Sequence, residues 1–191
     1  MKLVMQTPPS DRPITVEEAA AHLREFDQHY YGTISRMIDA AVESLQNQYW
    51  TQFCEATFDE HFDGWPAGVF RLARNPLGTV SSIKYTDAAG AEQTVAATAW
   101  EQGLDNGRGI VRLKYDQAWP SDCRGHADDV VVRYTAGYGA PTAVPAPIKQ
   151  ALLLAVADMY VFRETQVPMR WMSQIPYSIE RLMAGYTYKT V

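Results

Sequence analysis

The sequence has 191 residues, 47% of them hydrophobic and 20% charged, with 5 Trp, 11 Tyr and a formal net charge of -5. That length removes roughly 70% of the unfolded chain's surface from water, enough for one domain or one domain carrying an insertion, and the composition excludes a disordered or fibrous chain. The longest apolar run, Ala151 to Ala157, falls far short of the roughly 20 residues that span a bilayer, and Met1 to Thr15 lacks the regions of a secretory signal, so a soluble protein with no membrane partner is expected.

Residues 1–14, with Pro8, Pro9 and Pro13, read as an N-terminal extension. Thr15-Val16-Glu17-Glu18 is a capping-box signature and predicts a helix to about Arg24. Ile34, Met37, Ile38, Ala41 and Leu45 share one helical face, with Arg36, Asp39, Glu43 and Asn47 on the other. This is an amphipathic helix of about four turns, and 15–48 form a helical part.

From about Tyr49 the period changes to two, with Gly, Pro and Asp punctuation. Cys54, Ala56 and Phe58, then Phe70 and Leu72, Ile83 and Tyr85, Val111, Leu113 and Tyr115, and Val130, Val132 and Tyr134 each alternate with polar neighbours or a second residue type. Asp87-Ala88-Ala89-Gly90 suits a hairpin loop before Glu92 to Ala96. These segments make a β region over 49–136. Gly137, Gly139, Pro141 and Pro145 cannot continue a ladder. Pro147 favours a helix start, and the helix to about Glu164 is apolar nearly all round through Leu153, Leu154 and Val156, as in a helix buried on both sides. A last short helix, Ser178 to Met183, completes a second helical part over 137–185. The tail 186–191 alternates like a strand with no sequence neighbour to pair it.

Chemistry is sparse. None of the four histidines has zinc-enzyme spacing, and Cys123 and His126 have no second ligand pair, so no metal is expected. Asp59-Glu60-His61 and Asp128-Asp129 read as solvated turn charges. No nucleophile elbow, phosphate loop or dinucleotide fingerprint occurs; Asp105-Asn106-Gly107 is a turn signal. No catalytic residue and no cofactor are therefore assigned. Cys54 and Cys123 read as free thiols. The acidic balance and the absence of a Lys/Arg cluster disfavour a protein built to grip nucleic acid. Trp65, Trp100, Trp119, Tyr134 and Tyr138 are either core and contact residues or a sugar platform.

Leu72-Ala-Arg-Asn-Pro-Leu-Gly-Thr-Val-Ser-Ser-Ile-Lys-Tyr85, Asp87 to Gly90, Trp119-Pro120, Val130-Val-Val-Arg-Tyr-Thr-Ala-Gly-Tyr-Gly139 and Val144-Pro-Ala-Pro-Ile-Lys-Gln-Ala-Leu-Leu-Leu154 come in an order and spacing that resemble the head-tail connector family of tailed bacteriophages, also called adaptor or head-completion proteins. The resemblance runs from about Thr15 to Glu164, except that Leu45 to Trp50 stands where the family usually has a Thr-Gly-Arg type turn. It implies a structural virion protein at the head-tail junction, assembled in the host cytoplasm. It also implies a homo-oligomeric ring, commonly of twelve copies, between the portal and a stopper or tail-completion protein. Duplex DNA would pass through the channel without specific binding, as the acidic balance suits.

The fold class expected is α+β: two N-terminal and two C-terminal helices in one layer, with an inserted antiparallel β region. Tyr186, Thr187, Tyr188 and Lys189 are the candidate partner-binding residues, since an unpaired strand can add to the sheet edge of another subunit or of the portal; the alternative is a tail folded back on its own helices. A β-rich carbohydrate-binding or tail-associated module is the second functional reading.

Overall fold

The Thr15 hydroxyl accepts from the Glu18 amide while the Glu18 carboxylate accepts from the Thr15 amide at 2.8 Å, and this reciprocal cap opens α1 (Val16–Leu23) in the computed structural model, which describes residues 2–162 and 178–188. Arg24, left-handed at φ 56°, ends the helix. The next helix, α2 (Tyr31–Tyr49), is longer than expected because Tyr49 extends the buried row Ile34, Ile38, Ala41 and Leu45 by one more step; Trp50 then turns left-handed. The β region accordingly does not begin at Tyr49. Arg12 fixes the start of this segment to α2, donating to Ser35 and Asp39.

The chain divides into two compact units, one of Met1–Ser10 with Glu55–Tyr138 and one of Asp11–Cys54 with Gly139–Val191. In the second, α3 (Ala146–Val161) packs against α1, α2 and α4 (Ile179–Met183). Ile148, Ala151, Leu152, Ala155 and Val156 are buried. Leu153 and Leu154 are only half-buried, and Val161 is exposed, so α3 is covered over most of its girth and not on every side. The expected end at Glu164 lies outside the described residues.

The first unit holds eight antiparallel strands in two sheets around one core. Its larger sheet runs β1 (Lys2–Thr7), β2 (Ala56–Phe62), β8 (Val130–Ala136), β4 (Leu77–Thr86), β5 (Glu92–Thr94). The smaller runs β3 (Phe70–Arg71), β7 (Arg108–Leu113), β6 (Trp100–Asp105). In register, Glu60 faces Val132 and Val132 faces Ile83, while Asp59 faces Arg133. Phe58, Ile83, Val132 and Tyr134 of the large sheet share the core with Phe70, Trp100 and Val111 of the small one. The extension expected over 1–14 thus supplies an edge strand, β1, paired to β2. Cys54, expected in a strand, lies before β2 in the helical unit.

The hairpin at Asp87 to Gly90 forms, with Lys84 opposite Thr94 and Thr86 opposite Glu92. A second hairpin joins β6 to β7 through Asn106 and Gly107, both at positive φ (49° and 81°), the geometry that Asn-Gly prefers in a two-residue loop. Between Leu77 and Val80 the ladder to β8 is irregular. Side chains satisfy the backbone there: Gln102 accepts from Val80 N at 2.8 Å and donates to Gly78 O at 2.9 Å, and Thr135 accepts from Thr79 N.

Candidate interaction surfaces

Of the four candidate tail residues, Tyr186, Thr187 and Tyr188 are described and Lys189 lies outside the described residues. A short helical turn over Ala184–Tyr186 follows α4. The Tyr186 carbonyl accepts from the buried Thr51 hydroxyl, Tyr188 N donates to Tyr49 O at 3.0 Å, and the Thr187 hydroxyl donates to Met183 O. Tyr49 O is one of the last carbonyls of α2, which have no partner within the helix. The tail as far as Tyr188 is therefore held by its own helical unit, where a free strand was expected.

Beside that attachment, α2, α3 and α4 enclose a groove of about 330 Å3. Its floor is apolar (Leu45, Ala155, Met159, Ile179) and its rim carries Asp158 and Glu180. Burial raises the Asp158 pKa, and burial followed by the charge of Glu180 raises that of Tyr49. No Lys, Arg or His is among the described residues lining it.

In the β unit, Tyr115 does not continue the alternation of Val111 and Leu113. The strand ends at Leu113 and Tyr115 stands 99% exposed. Its turn is fixed, with Lys114 N bonded to Ala99 O, Gln117 N bonded to Lys114 O, and Asp116 at φ 59°.

The carboxylates expected as turn charges are elsewhere. Asp59, Glu60 and His61 lie within β2, and Glu60 is 0% exposed. Its Oε2 accepts from Tyr134 OH at 2.8 Å and from Ala73 N at 2.9 Å, while Tyr134 OH accepts from Arg74 N. Desolvation raises the Glu60 pKa despite those two bonds and the nearby Arg108. Asn75 completes the junction, accepting from Gly109 N at 2.6 Å and donating to Leu72 O. Burial also carries the Tyr134 hydroxyl far above its ordinary pKa. This network anchors the 72–76 loop between the sheets, and reaction chemistry has no access to it.

Asp59 receives both arms of Arg133 at 2.6 Å. Around it, Lys84 pairs with Glu92 in a shallow cavity of about 170 Å3. Its charges are largely matched internally. Asp129 is buried, held by Arg124 and by His126 N, and the hydrogen bonds from Arg124 lower its pKa. Asp128 is the exposed turn residue of that pair, at φ 63°.

The five aromatics do not stand together on one open face: Trp65, Trp119 and Tyr138 are half-buried and the other two are buried. Tyr134 is 0% and Trp100 8% exposed. Trp65 and Trp119 stack on each other at 4.8 Å with Trp119 edge-on to Phe70, and Trp65 donates to Pro120 O. Both thiols are free, and burial followed by the Asp11 charge raises the Cys54 pKa to about 11. Among the described residues, no three His, Cys, Asp or Glu side chains group to hold a metal ion, and no helix is long and apolar enough to cross a membrane.

No family model matches the sequence, and no curated protein is similar to it at a significant level. Solved structures are similar. A chain in the virion of the native gene transfer agent (GTA) particle superposes with a TM-score of 0.84 at 23% identity, over 100% of this chain and 97% of that one. Chains in the neck of the empty particle, computed with C6 symmetry, and of the native particle, computed with C12 symmetry, give TM-scores of 0.83 and 0.79 at 23% and 22% identity with the same coverage. Over its whole length, this chain has a fold found in the neck of the gene transfer agent, a phage-like particle.

Proposed function

We propose that the protein is a structural component of a virion neck: a head-tail connector, or adaptor, that forms a homo-oligomeric ring of twelve copies between the portal and the stopper or tail. The observation that carries this reading is the full-length likeness to chains from GTA necks. The C6 and C12 symmetry of those necks supports a ring, since six- and twelvefold repeats require copies related by rotation. The order and spacing of the sequence blocks from Leu72 to Leu154 support the connector role in particular.

In this reading the protein acts without catalysis, cofactor or metal, in the virion neck after assembly in the host cytoplasm. The ring surrounds a channel that duplex DNA crosses. A net charge of -5 limits phosphate contacts that would hold the DNA. Tyr186, Thr187, Tyr188 and Lys189 form the portal-facing tail, and its attachment at Tyr49 and Thr51 fixes where it leaves the helical unit.

The test is to mix the purified protein with the portal of the same particle and image the product by electron microscopy. A twelvefold ring seated on the portal is the expected result. Failure to bind the portal, with glycan binding in its place, overturns the reading in favour of a carbohydrate-binding module.

A further inference from the structure

Two features in different parts of the chain have opposite shapes and charges. Among the described residues Tyr115 is the most exposed of the large hydrophobic side chains, at 99%, on a turn whose backbone is fixed on both sides, and Lys114 precedes it. A rigid exposed aromatic gives broad contact at little entropy cost. The groove between α2, α3 and α4 presents an apolar floor and two carboxylates, Asp158 and Glu180, with no cation among its described lining residues. Both carboxylates are exposed at the groove with no positive side chain among its described lining, so an incoming ammonium meets two unneutralised negative charges there.

We propose that the Lys114-Tyr115 turn of one copy seats in the α2-α3-α4 groove of the next copy, the Tyr115 ring on the apolar floor and the Lys114 ammonium at Asp158 and Glu180. The proposal rests on the ring reading above and names the contact that would build the ring. Knob and groove are different surfaces of the same chain, so the contact is head-to-tail. It leaves a free knob and a free groove on every open chain of copies until a closed ring uses them all.

Self-association of the full chain, followed by sedimentation over a range of concentrations, tests the contact. Tyr115→Ala should weaken it by about tenfold or more, as loss of a central aromatic anchor does. Lys114→Glu should weaken it similarly, and adding Asp158→Lys and Glu180→Lys to Lys114→Glu should recover most of the loss, since reversed charges restore the pairing. Unchanged far-UV circular dichroism shows that each variant is folded. Association untouched by Tyr115→Ala, or not recovered by the reversal, overturns the contact and leaves the neck reading standing. A wild-type chain that remains monomeric throughout also overturns it, and portal imaging then judges the neck reading separately.

Discussion

Glu60 shows how one buried side chain gives the β unit a pH dependence. It is 0% exposed and desolvation raises its pKa. Between the ordinary glutamate range and that raised value, the native protein holds a proton that the unfolded chain has released, so stability falls as pH climbs through the window. Asp129 acts in the opposite sense and lower on the scale: its pKa is lowered, so its contribution is lost as pH falls below the ordinary aspartate range. Urea unfolding across pH should show both slopes, and Glu60→Gln should abolish only the upper one. Tyr134→Phe removes a donor to Glu60 and the acceptor of Arg74 N, and should cost about 1–3 kcal/mol in the same assay. Gly109 is constrained by space, because a Cβ there would lie 2.7 Å from Leu77 Cβ; Gly109→Ala should cost about 1–3 kcal/mol through overpacking. None of this was legible in the sequence, where Glu60 sits in an Asp-Glu-His run that looks solvated. Its partners at 73 and 134 come from a loop and a strand brought together only by the fold.

Elements set by local chemistry read well from the sequence, and those set by distant partners did not. The α1 cap needs only Thr15 and Glu18, and the α2 face needs only its own spacing. The alternation in β4 and β8 shows because one side is core and the other is open. By contrast, β1 pairs with residues fifty or more positions away, and β6 carries Gln102 where alternation from Trp100 would place an apolar group. Gln102 is there to complete the irregular stretch of β4. The near-continuous apolar run marks α3 as a buried helix, but not which leucine is its keystone. Leu152 is 0% exposed whereas Leu153 is half-buried. Leu152→Ala should therefore cost about 2–5 kcal/mol in thermal or denaturant unfolding, and Leu153→Ala clearly less.

For the whole molecule, the docked tail changes what truncation reports. Deleting Tyr186 to Val191 removes one of the two acceptors of the buried Thr51 hydroxyl, leaving Tyr49 O at 3.2 Å, and removes the amide donor to Tyr49 O. Thermal unfolding should show a loss of about 0.5–1.5 kcal/mol for each of the two hydrogen bonds removed. Deleting only 189–191 keeps both hydrogen bonds. Portal binding lost there, at an unchanged midpoint, is the result expected if the tail recognises the portal; retained binding would remove the tail from that role.

The interleaving of the two units also fixes the order in which the chain can finish folding as it is made. The helical face of Ile34, Ile38, Ala41, Leu45 and Tyr49 is synthesised early, but α3, which covers it, begins about a hundred residues later. At roughly 5–20 residues per second, that is a wait of about 5–20 s. β1 has already emerged and the other seven strands follow within that interval, so the β unit can close while the first two helices still lack their main partner. During those seconds each nascent chain displays an uncovered apolar stripe, and chains growing side by side on one messenger are exposed to one another through it.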